Sequence, residues 1–175
     1  MKQAIQSTYF LLLLALIVNA CTGKETDKYP IQQADWESKQ TSLDSFDHCT
    51  KGQTYLPLYS HIYHIHEHRT FDLTITVSMR NVSPSDTVYI LHADYYNTLG
   101  ENIRQYIDKP IYIKPLETIE IVIEEQDIDG GSGANFVFDW AAADTKNPPL
   151  FEAVMISTHG QQGLSFITRG VQIIQ

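Results

Sequence analysis

Phe71-Asp-Leu-Thr-Ile-Thr-Val-Ser-Met-Arg80 decides the fold of this chain. Phe71, Leu73, Ile75, Val77 and Met79 alternate with Asp72, Thr74, Thr76, Ser78 and Arg80. Successive side chains on a strand project to opposite faces, so a period of two marks a strand with one face buried. Outward from it, Asn81-Val-Ser-Pro-Ser-Asp86 reads as a turn, because Pro84 has no N–H to give a ladder. Residues 87–96 form the next strand, apolar on both faces at Val88-Tyr89-Ile90-Leu91, as a central strand is. Residues 97–100 make a hairpin turn into 103–107, and Pro110 and Pro115 bracket the short piece 111–113. Residues 116–125 alternate again, and Phe136, Phe138 and Trp140 share one inward face. Residues 151–158 and 164–174 complete the set, the last interrupted near Gly170. Some seven to nine short strands without helical period predict an all-β chain: an immunoglobulin-like β-sandwich of antiparallel strands, with a jelly roll or closed barrel as the alternative.

At 175 residues, with 43% hydrophobic and 11% aromatic content, the chain has core material for one domain. Twelve basic against twenty-one acidic residues leave a net charge of −9, which opposes phosphate neutralisation and excludes a nucleic-acid partner. Two cysteines cannot staple a disulfide scaffold.

Residues 1–20 have the layout of an export signal: Lys2 is the single charge, an apolar run follows to Val18, and Ala20 stands before Cys21. A run of about ten apolar residues suits a signal sequence and falls short of the roughly 20 that span a bilayer. A buried N-terminal helix is the alternative. Val18-Asn19-Ala20-Cys21 resembles a bacterial lipobox, in which a small residue admits the signal peptidase and the cysteine thiol takes diacylglycerol as a thioether. Lipidation of Cys21 then makes the membrane a partner, each buried methylene contributing about 0.8 kcal/mol. Ordinary signal cleavage stays open, as does a Cys21–Cys49 bridge, which would exclude lipidation. Thr22 is not the acidic residue that retains enterobacterial lipoproteins at the inner membrane, so the expected address is the outer membrane, on its periplasmic or surface side. Residues 21–54 are polar and without sustained period, and read as a flexible tether with a span of roughly 30 Å. A short helix over 34–41 is the alternative there. Residues 55–175 are expected to form a single β-sandwich domain.

Three blocks carry a resemblance: Asp94-Tyr-Tyr-Asn-Thr-Leu-Gly100, Gly130-Gly-Ser-Gly-Ala-Asn-Phe136, and Gln162-Gly-Leu-Ser-Phe166 with Arg169-Gly170. In this order they resemble the bacterial lipoprotein family called domain of unknown function 3124, over about residues 55–174. That resemblance implies no activity, ligand or catalytic residue. The histidine run at 61–68 is where the chain departs from the family pattern.

His61, His64, His66 and His68 spell H-x-x-H-x-H-x-H. On one strand, positions 64, 66 and 68 project from a common face about 7 Å apart, a ladder that suits Zn(II) or Cu(II), with Glu67 or His92 as further ligands. The plain alternative is an exposed polar strand end, and no other cofactor is expected. Asp127-Ile-Asp-Gly-Gly-Ser-Gly133 lacks the lysine and following helix of a phosphate loop, and the distal ligands of a calcium loop. It reads as a structural loop, with Gly130, Gly131 and Gly133 at positive φ and Ser132 and Asn135 capping backbone groups. Neither Ser132 nor Ser165 sits in a nucleophile elbow, Cys49 lies in the expected tether, and Glu124 and Glu125 point to opposite strand faces. No catalytic residue is assigned. Tyr89, Tyr95, Tyr96, Tyr106, Tyr112, Phe136, Phe138 and Trp140 either fill a core or line a groove, with Tyr95 and Tyr96 facing opposite ways.

The sequence therefore predicts a lipid-anchored cell-envelope protein whose sandwich is a non-catalytic module for binding or assembly, its partner an unknown envelope protein or a glycan. A metal-binding protein using the histidine cluster is the alternative, and an unrecognised hydrolase stands behind both.

Overall fold

A computed structural model describes residues 36–42, 48–144, 146–158 and 163–174. The strands are β1 (Thr50–Pro57), β2 (His61–His64), β3 (His66–Asp72), β4 (Thr74–Arg80), β5 (Val88–Tyr96) and β6 (Asn102–Ile107). They continue as β7 (Ile111–Ile113), β8 (Thr118–Ile123), β9 (Asn135–Ala142), β10 (Leu150–Ser157), β11 (Leu164–Arg169) and β12 (Val171–Ile173). One sheet runs β12-β1-β9-β5-β6, with β7 also on β5; a second runs β11-β10-β4-β8; β2 and β3 form a separate hairpin. Both large sheets end in edge strands, so the body is an open, all-β sandwich and not a closed barrel.

The alternation that opened the sequence produces the layers from Thr74 onward. The single strand expected over 71–80 is broken at Leu73, which is fully buried between β3 and β4 in the chain, so Phe71 and Asp72 belong to the separate hairpin. On β4, Ile75, Val77 and Met79 are fully buried, and on β8 Ile119, Ile121 and Ile123 face the same way. The other sheet answers with Ile90, Tyr95, Phe136, Phe138 and Trp140. Phe138 of β9 stacks on Phe151 of β10 with ring centroids 4.3 Å apart, which joins the two sheets across the middle. Each such side chain contributes about 1.5–3 kcal/mol by leaving water. β5 is central, with β9 on one side and β6 and β7 on the other, as its two-sided apolar start requires.

Two further expectations change. The tether expected over 21–54 is shorter at its domain end, because β1 begins at Thr50 and residues 36–42 lie on the sandwich. Trp36 packs against the core, the Thr41 N–H donates to the Pro110 carbonyl, and Lys39 pairs with Glu117 at 2.6 Å. A single 3-10 turn (Glu37–Lys39) is all the helix that 34–41 holds among the described residues. Strand β1 escapes a hydrophobic reading because two of its inward positions are Gly52 and Thr54. The Trp140 indole lies over Gly52, where any Cβ would collide with it, and its N–H donates to Thr54 Oγ1 at 3.0 Å. The second change is at the histidines. The chain does not run straight through 61–68 but reverses at Ile65, whose φ is 65°. The signal sequence, Cys21 and the tether up to residue 35 lie outside the described residues.

Candidate functional site

The histidine run forms the β2–β3 hairpin, and its geometry divides the proposed ligand set. His61 pairs with Asp72 and Tyr63 with Thr70, so these four share one face; Ile62 and Phe71 share the other. His64 stacks on Phe71, centroids 4.1 Å apart, and so belongs to the second face. His66 and His68 stand beside each other at 6.0 Å, with the His68 N–H donating to His66 Nδ1 and the His68 ring 3.5 Å from Glu67. The expected common ladder of His64, His66 and His68 is thus broken by the turn. Among the described residues no three His, Cys, Asp or Glu side chains converge as a metal site. What the hairpin offers is a pair, His66 and His68, on an exposed strand. His92, the further ligand candidate, is engaged elsewhere, facing Asp139 at 3.2 Å.

The glycine-rich loop lies at one end of the sandwich, where Asp94–Gly100 and Gly130–Phe136 meet. The Thr98 N–H donates to the Gly130 carbonyl, and Thr98 Oγ1 accepts the Gly133 N–H at 2.9 Å. The Ser60 N–H donates to the Gly131 carbonyl, and Ser60 Oγ meets the buried Tyr95 hydroxyl at 2.9 Å. Of the expected positive φ values, Gly131 has one, at 75°. Gly130, at φ −67°, is glycine for a different reason: a Cβ there would collide with the Tyr95 hydroxyl. Asn135 opens β9 opposite Pro57 and Tyr96.

Beside this loop, Arg104 Nη1 donates to Asp127 Oδ2 at 2.6 Å and to the Tyr106 hydroxyl at 2.7 Å, with its guanidinium over the Tyr106 ring. Burial pushes the Tyr95 and Tyr106 phenols above their ordinary range, so both are neutral near pH 7. Hydrogen bonds to Asp127 and Tyr106 keep Arg104 firmly charged. The Asp127 Oδ2, Arg104 and Tyr106 groups engage one another, while Asp127 Oδ1 is buried without a hydrogen-bond partner among the described residues. Sequence reading missed this set, since Ser60, Tyr95, Arg104 and Asp127 lie far apart along the chain and share no local motif.

His92 with Asp139 is the one histidine–carboxylate dyad the sequence did not anticipate. Gln53 donates to the other Asp139 oxygen at 2.7 Å, and no Ser, Thr or Cys bonds to His92 among the described residues. Cys49 is half-buried and burial raises its thiol pKa, away from a reactive thiolate. The aromatic set divides as alternation requires: Tyr95, Phe136, Phe138 and Trp140 are core, while Tyr96 is half-buried on the opposite face. A cleft of about 380 Å³ opens beside Trp140, lined by Thr54, Pro148, Pro149, Phe151, Gly170 and Gln172. Its size suits a small ligand, but Trp140 is 1% exposed and offers no platform for stacking.

Residues 51–173 match the family described as protein of unknown function DUF3124. The chain belongs to the DUF3124 family. The match begins within β1 and ends in β12, so the family's sequence covers both sheets of the sandwich. No curated protein matches. Among solved structures, the crystal structure of Thermotoga maritima 1070 is similar at 8% identity and a TM-score of 0.40, over 69% of this chain and 92% of that one. In this DUF3124 chain the Gly170 N–H of the third block donates to the Phe151 carbonyl and extends the β10–β11 ladder, while the neighbouring Thr168 Oγ1 donates to the Pro57 carbonyl of β1 and joins the two sheets.

Proposed function

We propose that this DUF3124 chain is a lipid-anchored cell-envelope protein, held at the outer membrane by acylated Cys21, whose sandwich is a non-catalytic module for binding or assembly. The observation that carries the reading is Val18-Asn19-Ala20-Cys21 at the end of an apolar leader, followed by a polar stretch and then by the folded body. The internal pairing of Ser60, Tyr95, Arg104, Tyr106 and Asp127 supports a structural rather than a chemical use of the sandwich's polar end. Two or more acyl chains hold a protein stably at a bilayer, whereas one holds it marginally. Cys21→Ser should move the protein from the membrane fraction to the soluble fraction and abolish incorporation of a fatty-acid analogue. Unchanged partitioning of the variant would refute the anchor.

A further inference from the structure

Every edge strand of the sandwich but one carries a feature that discourages pairing with another chain. β6 is bulged at two places against β5, β7 and β12 are three residues long, and β8 presents Glu120 between Glu117 and Glu124. β11 carries none of these. It is Leu-Ser-Phe-Ile-Thr-Arg, six residues in unbroken register with β10, without proline, glycine or lysine, and with its single charge at one end. Among the described residues β10 is its only ladder partner, so its outer row of N–H and C=O groups is open for a strand.

The sheet face beside that edge is apolar where it should be polar. Ile167, Val154, Thr76 and Val122 form one cross-strand row on the outside, with Ile167 68% and Val122 57% exposed. In the parallel row of Arg169, Glu152, Ser78 and Glu120, Glu152 pairs with Arg169 at 2.9 Å and with Arg80 at 3.5 Å, and Glu120 accepts the Ser78 hydroxyl at 3.1 Å. Two arginines against two glutamates make this face locally neutral on a chain of net charge −9. A second acidic body therefore meets little repulsion at this face.

We propose that β11 pairs antiparallel with β11 of a second copy of this chain, joining two four-stranded sheets into one of eight. A two-fold axis at Ile167 sets Ile167 opposite itself and Arg169 opposite Ser165, with no like charges facing, and it extends the apolar row across both copies. The same operation at β8 would bring Glu120 rows together. This names the partner for the assembly reading above and rests on it for its purpose, although the contact itself does not require the acyl anchor.

The test uses the full chain in its own envelope with Cys49→Ser. Adding Ile167→Cys should give a disulfide-linked homodimer on mild oxidation, which neither the parent chain nor the same chain with Glu120→Cys should give. In the Cys21→Ser chain, sedimentation should show a monomer–dimer equilibrium that Ile167→Asp weakens at least about tenfold, with an unchanged melting temperature at concentrations where both chains are monomeric. Absence of the homodimer together with a monomer at all concentrations up to roughly 0.1 mM overturns the proposal. Cross-linking to a different polypeptide overturns it as well. A homodimer that persists while Cys21→Ser stays in the membrane fraction upholds the contact and removes the anchor instead.

Discussion

Glu117 shows how much one side chain can hold. Its carboxylate accepts the Lys114 N–H at 2.8 Å and the Lys39 ammonium at 2.6 Å, so it joins the turn before β8 to the segment that precedes β1. Burial alone would raise its pKa, but the Lys39 hydrogen bond, the Lys114 amide and the two lysine charges together hold it below the ordinary glutamate range. A carboxylate with a depressed folded pKa contributes stability above its unfolded value of about 4.3, and that contribution is lost as pH falls through the folded pKa. Glu117→Gln should therefore lower stability at pH 7 by about 0.5–1 kcal/mol, since the pair is only partly buried. Thermal melts of both chains from pH 7 down to pH 3 check this. The gap should narrow below about pH 4, and a constant gap would show that the charge is not what matters. Nothing in the sequence near Glu117 advertised Lys39, because 78 residues separate them.

At the scale of elements, the sequence was readable wherever apolar residues alternate without interruption. The strands at 74–80 and 118–123 follow from that pattern, and the strand at 88–96 from its two-sided apolar start. β1 did not, because tertiary packing put glycine and threonine on its inward face to admit the Trp140 ring. The hairpin at 61–72 did not either: its residues are largely exposed, so no buried face imposes a period, and a turn centred on isoleucine carries no turn signature. This difference sets the domain boundary. A fragment starting at residue 55 loses Thr50–Thr54, hence the cover over Trp140 and the acceptor for its N–H. A fragment starting at residue 34 keeps β1, Trp36 and Lys39. By circular dichroism the longer fragment should unfold cooperatively, and the shorter should melt at least about 10 °C lower or not fold, consistent with several kcal/mol lost from an exposed tryptophan and a missing strand. Equal melting temperatures would place β1 outside the folding unit.

For the whole molecule, the sandwich stands on contacts between sheets more than on either sheet's ladder, since an isolated sheet with one apolar face has no means of hiding it. The ring series Tyr95–Phe136–Phe138–Phe151 carries this across the molecule, with stacked centroids at 5.0, 5.1 and 4.3 Å. Phe136 and Phe138 were legible as inward residues of one strand. That Phe151 closes the series from the other sheet was not, because strand alternation fixes a face but not the partner opposite it. The candidate sites divide in the same way: the glycine loop was found from local composition, whereas the Arg104–Asp127 pair and the broken histidine ladder depend on where distant segments come to rest. If the inter-sheet contact dominates, Phe138→Ala, which opens a cavity against Phe151 at the centre, should cost about 3–5 kcal/mol. Thr118→Ala, on an exposed edge position of β8, should shift stability by less than about 0.5 kcal/mol. Urea unfolding of the two variants decides it. Both should keep the wild-type slope, because the surface exposed on unfolding is nearly the same. A Phe138→Ala midpoint close to that of Thr118→Ala would mean that the sheets do not depend on each other at this point.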